Sequence, residues 1–173
     1  FALHHDRDAR SGPVGSRGGQ ADSAMTCPPG VVQHEAAAEE IARLFAVYRR
    51  HVHDAGLPGM SVDGEYCQLF DGGLALGKVV VHAHGWRVAG SDHSRERLLQ
   101  LCAAVLGRAS HSIMALLEGG RRKRNRAVYD EVGTISRLEV DSLRRALGDL
   151  EVLARAWLVR EHPDLLPPEL PLG

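Results

Sequence analysis

The sequence has few aromatic residues and almost no net charge, and each shortage excludes a class of function. Aromatic side chains make up 5% of the 173 residues, which argues against a surface that stacks many nucleic-acid bases. The formal net charge is -1, so the chain as a whole is not a polyanion binder. Any contact with nucleic acid must therefore come from a local basic patch. Hydrophobic residues still make up 44% of the chain, which is enough for an ordinary core.

Cysteines and long apolar runs are also scarce. The three cysteines, Cys27, Cys67 and Cys102, are odd in number and widely spaced, which indicates a reducing compartment and no disulfide framework. No apolar run approaches the roughly 18 residues that a membrane span needs. The N-terminus also lacks the basic and apolar segments of a secretory signal. We therefore expect a cytoplasmic protein with no membrane partner.

The two ends of the chain differ in composition from its middle. Residues 1–32 are rich in turn-forming residues and have no apolar period, so we expect a disordered N-terminal extension. Because the chain begins at Phe1, we interpret Met25 as the natural start. Residues 167–173 are rich in proline and predict an extended C-terminal tail. One domain remains between these ends, over residues 33–166.

Apolar residues recur at spacings of three and four through this domain, which predicts helices. The expected helices span residues 34–55, 64–84, 92–106, 110–131 and 136–162. Ser136 and Glu139 form a capping box that opens the last helix, and Pro163 ends it. Short connections between five helices predict an all-α fold, an antiparallel helical bundle.

The connections and the glycines carry further expectations. Residues 86–91 are predicted to form a loop, and Asp92 is predicted to cap the third helix. Gly119 and Gly120 are expected to break or kink the fourth helix. Three glycines lie inside the second helix: Gly72, Gly73 and Gly77. Each costs about 1 kcal/mol relative to alanine, so they predict a close approach by another backbone.

Ten histidines invite a search for metal sites. The closest pairs are separated by a single residue: His51 with His53, and His82 with His84. On a helix such pairs point about 200° apart and cannot share an ion. His34-Glu35 lacks the second histidine of a His-Glu-x-x-His motif, and the sequence has no phosphate-binding glycine loop or nucleophile elbow. We therefore expect no metal, no cofactor and mostly surface histidines.

Five of the six residues from 121 to 126 are basic: Arg121, Arg122, Lys123, Arg124 and Arg126. Asn125 lies among them and Tyr129 follows. On a helix, Arg121, Asn125 and Tyr129 share one stripe, whereas Arg124 lies about 140° away from Tyr129. Arg124 and Tyr129 can therefore meet only in a groove that a second helix or a second subunit closes. Arginine is suited to bidentate contact with a phosphate, and the plainer alternative is a solvated basic helix end.

This basic run and its Tyr-Asp ending resemble the signature of HEPN domains. Those domains carry an arginine, a polar residue that is often asparagine, and a histidine several residues later. Arg124 and Asn125 match the first two positions, and Tyr129 stands where the histidine would be. The helix order over residues 34–166 and the junction at residues 85–93 extend the resemblance. The chain is most similar to the stand-alone, actinobacterial type of HEPN protein.

The resemblance implies a small helical bundle that dimerises and brings two motif helices together. It also implies a protein directed to RNA, in many members a metal-independent endoribonuclease of toxin or antiphage-defence type. In that role Arg124 would bind the scissile phosphate, Asn125 would orient it and Tyr129 would replace the usual histidine. The implied partners are RNA or a nucleotide, a second copy of the chain and a nucleotidyltransferase-like antitoxin. The other basic residues of the run would contact RNA: Arg121, Arg122, Lys123 and Arg126.

Tyr129 is the departure from the HEPN pattern. Tyrosine has an unperturbed pKa near 10 and is a poor base at neutral pH. This favours the alternative of a non-catalytic HEPN dimerisation module that binds RNA, a nucleotide or a protein partner. His93 or His111 could replace the missing histidine if the fold brings either one near Arg124. An unrelated helical interaction domain is the third alternative.

Overall fold

The structure is a computed structural model that describes residues 27–90, 93–129 and 133–166, without the side chains of residues 126–129. Five α-helices make up most of this part of the chain: α1 (Ala38–Asp54), α2 (Val62–Ala83), α3 (Ser94–Leu106), α4 (His111–Tyr129) and α5 (Arg137–Glu161). The prediction of an all-α helical bundle is therefore confirmed. Among these described helices, none is both long and apolar enough to cross a membrane.

Several of the sequence predictions concern residues that the structure does not describe. The expected disorder over residues 1–26, the start at Met25, the cap at Asp92 and the tail over residues 167–173 all lie outside the described residues. Helix α3 begins at Ser94, and the residue before it makes no side-chain capping hydrogen bond.

Helix α2 is the centre of the bundle, because it contacts each of the other four helices. Nearly every residue between Leu69 and Ala83 is buried, as expected for a helix that others surround. Ser61 caps its first turn by accepting a hydrogen bond from the Gly64 N–H at 3.0 Å. This central helix supplies one wall of the site described below.

A small antiparallel sheet joins the start of the domain to the end of α2. Strand β1 (Val31–Gln33) pairs with strand β2 (Trp86–Val88). The predicted loop over residues 86–91 is therefore wrong for its first three residues, and the predicted disorder up to residue 32 is wrong for Val31 and Val32. Strands this short show no alternating pattern, and their pairing depends on contacts between segments that are distant in sequence.

Gly73 of α2 faces side chains rather than another backbone. A Cβ at this position would lie 2.7 Å from Leu117 Cδ2 of α4 and 2.9 Å from Leu147 Cδ2 of α5. The predicted approach by another backbone is therefore wrong at Gly73, where leucine side chains occupy the space. The missing side chain lets α4 and α5 pack tightly on α2.

The predicted break at Gly119 and Gly120 is wrong, because α4 continues through both residues. A Cβ at Gly120 would lie 2.8 Å from the Tyr66 hydroxyl and 3.3 Å from Phe70 Cδ2. Gly120 thus serves the packing of α4 against α2 and does not end the helix. The basic run that follows is consequently part of the same helix.

The capping box of α5 is confirmed. Ser136 Oγ accepts a hydrogen bond from the Glu139 N–H at 3.3 Å, and the Glu139 carboxylate accepts one from the Ser136 N–H at 2.8 Å. The helix ends at Glu161, just before Pro163, as predicted. Both ends of α5 therefore follow from local sequence alone.

Candidate functional site

A cleft of about 840 Å³ opens between α1, α2, α3, α4 and the end of β2. Part of its wall is apolar: Leu44, Val47, Leu74, Ala75, Val88 and Leu98. The charged side chains on the wall are Glu40, Asp71, Lys78, Arg87, Arg95 and Arg124. Four of these are cations and two are carboxylates, so the lining has a formal excess of positive charge. The cleft is therefore a local basic patch in a chain that is nearly neutral as a whole.

Arg124 reaches this cleft from α4, and its side chain is 18% exposed. Its Nη2 lies 3.3 Å from Asp71 Oδ2, which holds the guanidinium against α2. Its Nε is buried and has no hydrogen-bond partner among the described residues. A buried donor without a partner costs about 1–3 kcal/mol. Because this nitrogen is closed to solvent, a ligand in the cleft would meet the other, partly exposed part of the guanidinium.

Two other members of the basic run pair with carboxylates outside the cleft. Arg121 Nε donates to Glu118 at 3.1 Å, and a second guanidinium nitrogen lies 3.9 Å from Glu96 of α3. Lys123 pairs with Glu139 in the capping box of α5. These two predicted RNA contacts are therefore already engaged with acidic side chains.

The structure places Arg124 in the cleft and Asn125 outside it, although the HEPN resemblance implies that both act on one phosphate. Arg122 and Asn125 are exposed, and neither lines the cleft. The side chains of Arg126 and Tyr129 lie outside the described residues, so their predicted roles stay predictions. Arg124 is thus the member of the basic run that the structure places in the cleft.

Sequence reasoning missed the other cations of the cleft. Lys78, Arg87 and Arg95 come from α2, β2 and α3 and meet Arg124 only in the folded chain. One signal was available: Lys78 is an exposed cation on a helix that is otherwise buried around it. A lone charge in an apolar helix indicates that this helix borders a solvent-filled space.

The predicted substitutes for the HEPN histidine do not lie in the cleft. His93 and His111 are exposed, and neither is part of the lining. His51 of α1 does line the cleft, together with Arg124. Its Nδ1 donates to Gln68 Oε1 at 2.6 Å, which orients the imidazole. The fold thus offers a different histidine from those that sequence reasoning proposed.

Glu40 lies at one edge of the cleft and accepts hydrogen bonds from two histidines. His82 Nδ1 donates to its Oε1 at 2.7 Å, and His34 Nε2 donates to its Oε2 at 2.9 Å. Burial raises the pKa of Glu40, but the hydrogen bonds from His82 and His34 outweigh burial and hold that pKa below its ordinary value. Burial lowers the pKa of His82 more than Glu40 raises it. The expectation of surface histidines is wrong for these two, whose side chains are 14% (His34) and 11% (His82) exposed.

No protein-family model matches this chain, and neither a curated protein nor a solved structure does. The resemblance to HEPN domains therefore rests on the motif at Arg124 and on the order of the helices.

Proposed function

We propose that this protein is a HEPN-like module that binds RNA or a nucleotide by holding a phosphate with Arg124. The observation that carries the proposal is that Arg124, oriented by Asp71, lines a cleft whose charged side chains are four cations and two carboxylates. A phosphate would accept hydrogen bonds from the guanidinium of Arg124. Asp71 already orients the guanidinium, so little side-chain freedom is lost on binding.

The rest of the cleft suits a nucleotide. Its volume of about 840 Å³ falls in the usual range of small-molecule sites. Leu44, Val47 and Leu98 offer apolar surface to a base or a ribose, while Lys78 and Arg95 add positive charge from two other helices. The HEPN resemblance adds a second copy of the chain as a partner, because the motif helices of that family meet in a dimer.

A metal-independent endoribonuclease of toxin or antiphage-defence type is the second candidate, and His51 is the observation that favours it. Cleavage needs a group that takes the proton of the ribose 2′-hydroxyl and a cation that stabilises charge on the phosphate. His51 and Arg124 line one cleft and provide these two types of group. Tyr129 remains the proton acceptor that the HEPN resemblance implies. A nucleotidyltransferase-like antitoxin would be a partner of this activity.

Binding is tested with a labelled single-stranded RNA and a labelled nucleotide, by fluorescence anisotropy in the presence of EDTA. We expect Arg124→Ala to weaken binding about 10- to 100-fold, because a charged hydrogen-bonded contact contributes roughly 1.5–3 kcal/mol. Arg122→Ala is the matched control, since Arg122 lies on the same helix but is exposed and outside the cleft. Equal losses in the two variants, or no loss in either, would overturn the proposal.

Cleavage is tested on total RNA with the same proteins, again in EDTA. The ribonuclease predicts cleavage that survives chelation and disappears in Arg124→Ala. Loss of cleavage in His51→Ala but not in Tyr129→Phe assigns the proton acceptor to His51, and the reverse result assigns it to Tyr129. RNA binding without cleavage in the wild type supports the non-catalytic module and excludes the second candidate.

A further inference from the structure

Three side chains from separate elements converge at the edge of the cleft where Glu40 lies. His34 follows β1, Glu40 lies in the first turn of α1, and His82 lies in the last turn of α2. Two imidazole nitrogens and a carboxylate oxygen from these residues all lie within 4.8 Å of one another. Each of the three side chains is mostly buried, so the surrounding packing holds the cluster in place.

The small sheet brings His34 to this position. The His34 N–H donates to the Gly85 carbonyl at 2.9 Å, next to the pairing of β1 with β2. Gly85 has a φ of +93°, a conformation that residues with a Cβ rarely adopt, and it turns the chain from α2 into β2. The turn and the sheet together fix His34 against the last turn of α2, where His82 lies.

We propose that His34, Glu40 and His82 form a zinc-binding site with its fourth position open to the cleft. Two histidines and a glutamate are a known ligand set of zinc sites that keep one position for water or a substrate. Zinc bonds of about 2.0–2.2 Å in a tetrahedron place the ligand atoms roughly 3.4 Å apart. Glu40 Oε1 lies 2.7 Å from His82 Nδ1 and 3.0 Å from His34 Nε2, so these two separations need to open by about half an ångström. All three ligand atoms lie within 4.8 Å of one another, so the two imidazole nitrogens need to move together by at most about 1.4 Å. Glu40 and His82 line the cleft, so the open position lies on that side.

The charges of the cluster also suit a zinc ion, which takes neutral imidazoles and an ionised carboxylate. The mostly buried carboxylate of Glu40 lies within hydrogen-bonding distance of both imidazoles. A divalent cation would compensate the carboxylate charge in this mostly buried position.

Arg87 is the group that opposes a cation at this site. Its Nη2 lies 3.4 Å from Glu40 Oε1, and its side chain is 51% exposed. A half-exposed arginine can turn into solvent when an ion occupies the site, but its charge still repels the ion. We therefore expect Arg87→Ala to bind zinc about fivefold more tightly than the wild type.

The test is a calorimetric titration of the full chain with zinc chloride, after dialysis against a chelator. We expect one zinc ion per chain, and a cobalt-loaded sample should show the intense visible absorption of a tetrahedral site. His34→Ala, His82→Ala and Glu40→Gln should each weaken zinc binding by about tenfold or more, because each removes or neutralises one ligand. Glu40→Gln preserves the shape of the side chain, and circular dichroism verifies that each variant is folded.

His53→Ala is the matched control, because His53 is an exposed histidine of α1 outside the cluster. Weak zinc binding to scattered surface histidines should be the same in this control and in the wild type. Equal affinity in the wild type and the folded cluster variants would mean an adventitious ion only and would overturn the proposal. The readout is zinc occupancy, so this result and the RNA-binding result can fail independently.

Discussion

Arg121, Lys123 and Arg124 belong to one basic run but have three different surroundings. Arg121 pairs with acidic residues of α3 and α4, Lys123 pairs with the capping box of α5, and Arg124 lines the cleft. Successive side chains of a helix point about 100° apart, so the side chains of a short basic run point in all directions around the helix axis. The sequence therefore predicts the charge of the run, whereas the neighbouring helices decide which residue can meet a ligand.

Glu139 is expected to make the stability of the protein depend on pH in the acid range. The hydrogen bond from Lys123, together with those from Ser136, lowers its pKa from 4.5 to about 2. A lowered pKa contributes stability above the unfolded pKa, near 4.5, and this contribution disappears as the pH falls toward 2. Urea unfolding of Glu139→Gln should show a loss on the order of 1 kcal/mol at neutral pH, since the side chain is partly solvated.

This loss should shrink as the pH is lowered from about 4.5 toward 2, because the carboxylate of the unfolded wild type binds a proton over this range while that of the folded protein stays ionised. Glu39→Gln is the control, since Glu39 is an exposed acid in the first turn of α1. The lowered pKa would be contradicted by a difference between Glu139→Gln and the wild type that stayed constant with pH. It would equally be contradicted if both variants followed the same curve.

The helices could be predicted because their signals are local, and the cleft could not because its residues meet only through packing. The capping box of Ser136 and Glu139 predicts the start of α5, and its two residues are close in sequence. Strand β1 has no such local sequence signal, because it forms by pairing with β2, which is distant in sequence. The cluster of His34, Glu40 and His82 escaped prediction for the same reason, because sequence spacing tests only neighbouring histidines. Arg124 could be proposed from the sequence, because Arg124, Asn125 and Tyr129 of its motif are close together in the chain.

Gly73 should be the least replaceable glycine of α2. A Cβ there would meet Leu117 and Leu147 at less than 3.0 Å, so Gly73→Ala should destabilise the protein by about 1–2 kcal/mol in urea unfolding. This net loss already includes the roughly 1 kcal/mol that alanine gains in a helix. Gly148→Ala in α5 is the control and should be stabilising, because no atom beyond its chain neighbours and its own helical backbone lies within 4 Å of the added Cβ. Stabilisation in both variants would contradict the inferred packing.

The whole molecule has a net charge of -1, so its overall field cannot hold RNA. Two local patches in the described part of the chain carry several cations. The cleft gathers four cations from α2, β2, α3 and α4, and the basic run on α4 exposes Arg122 beside its paired neighbours. Both patches would attract a polyanion, and they differ in the residues that would contact phosphates. The salt dependence of RNA binding distinguishes the two patches, because its slope is proportional to the number of phosphate charges that the protein neutralises.

The salt dependence of RNA binding should identify the cleft. Each cation that neutralises a phosphate of a single strand contributes about -0.7 to the slope of log affinity against log salt, so four cations give roughly -3 at most. Arg95→Ala should reduce this slope by about 0.7, because Arg95 is an exposed cation of the cleft, and Arg122→Ala should leave it unchanged. The opposite pattern would place RNA on the basic run of α4, where the sequence predicts contacts from Arg121, Arg122, Lys123 and Arg126. A slope near zero in the wild type would contradict phosphate recognition at either patch.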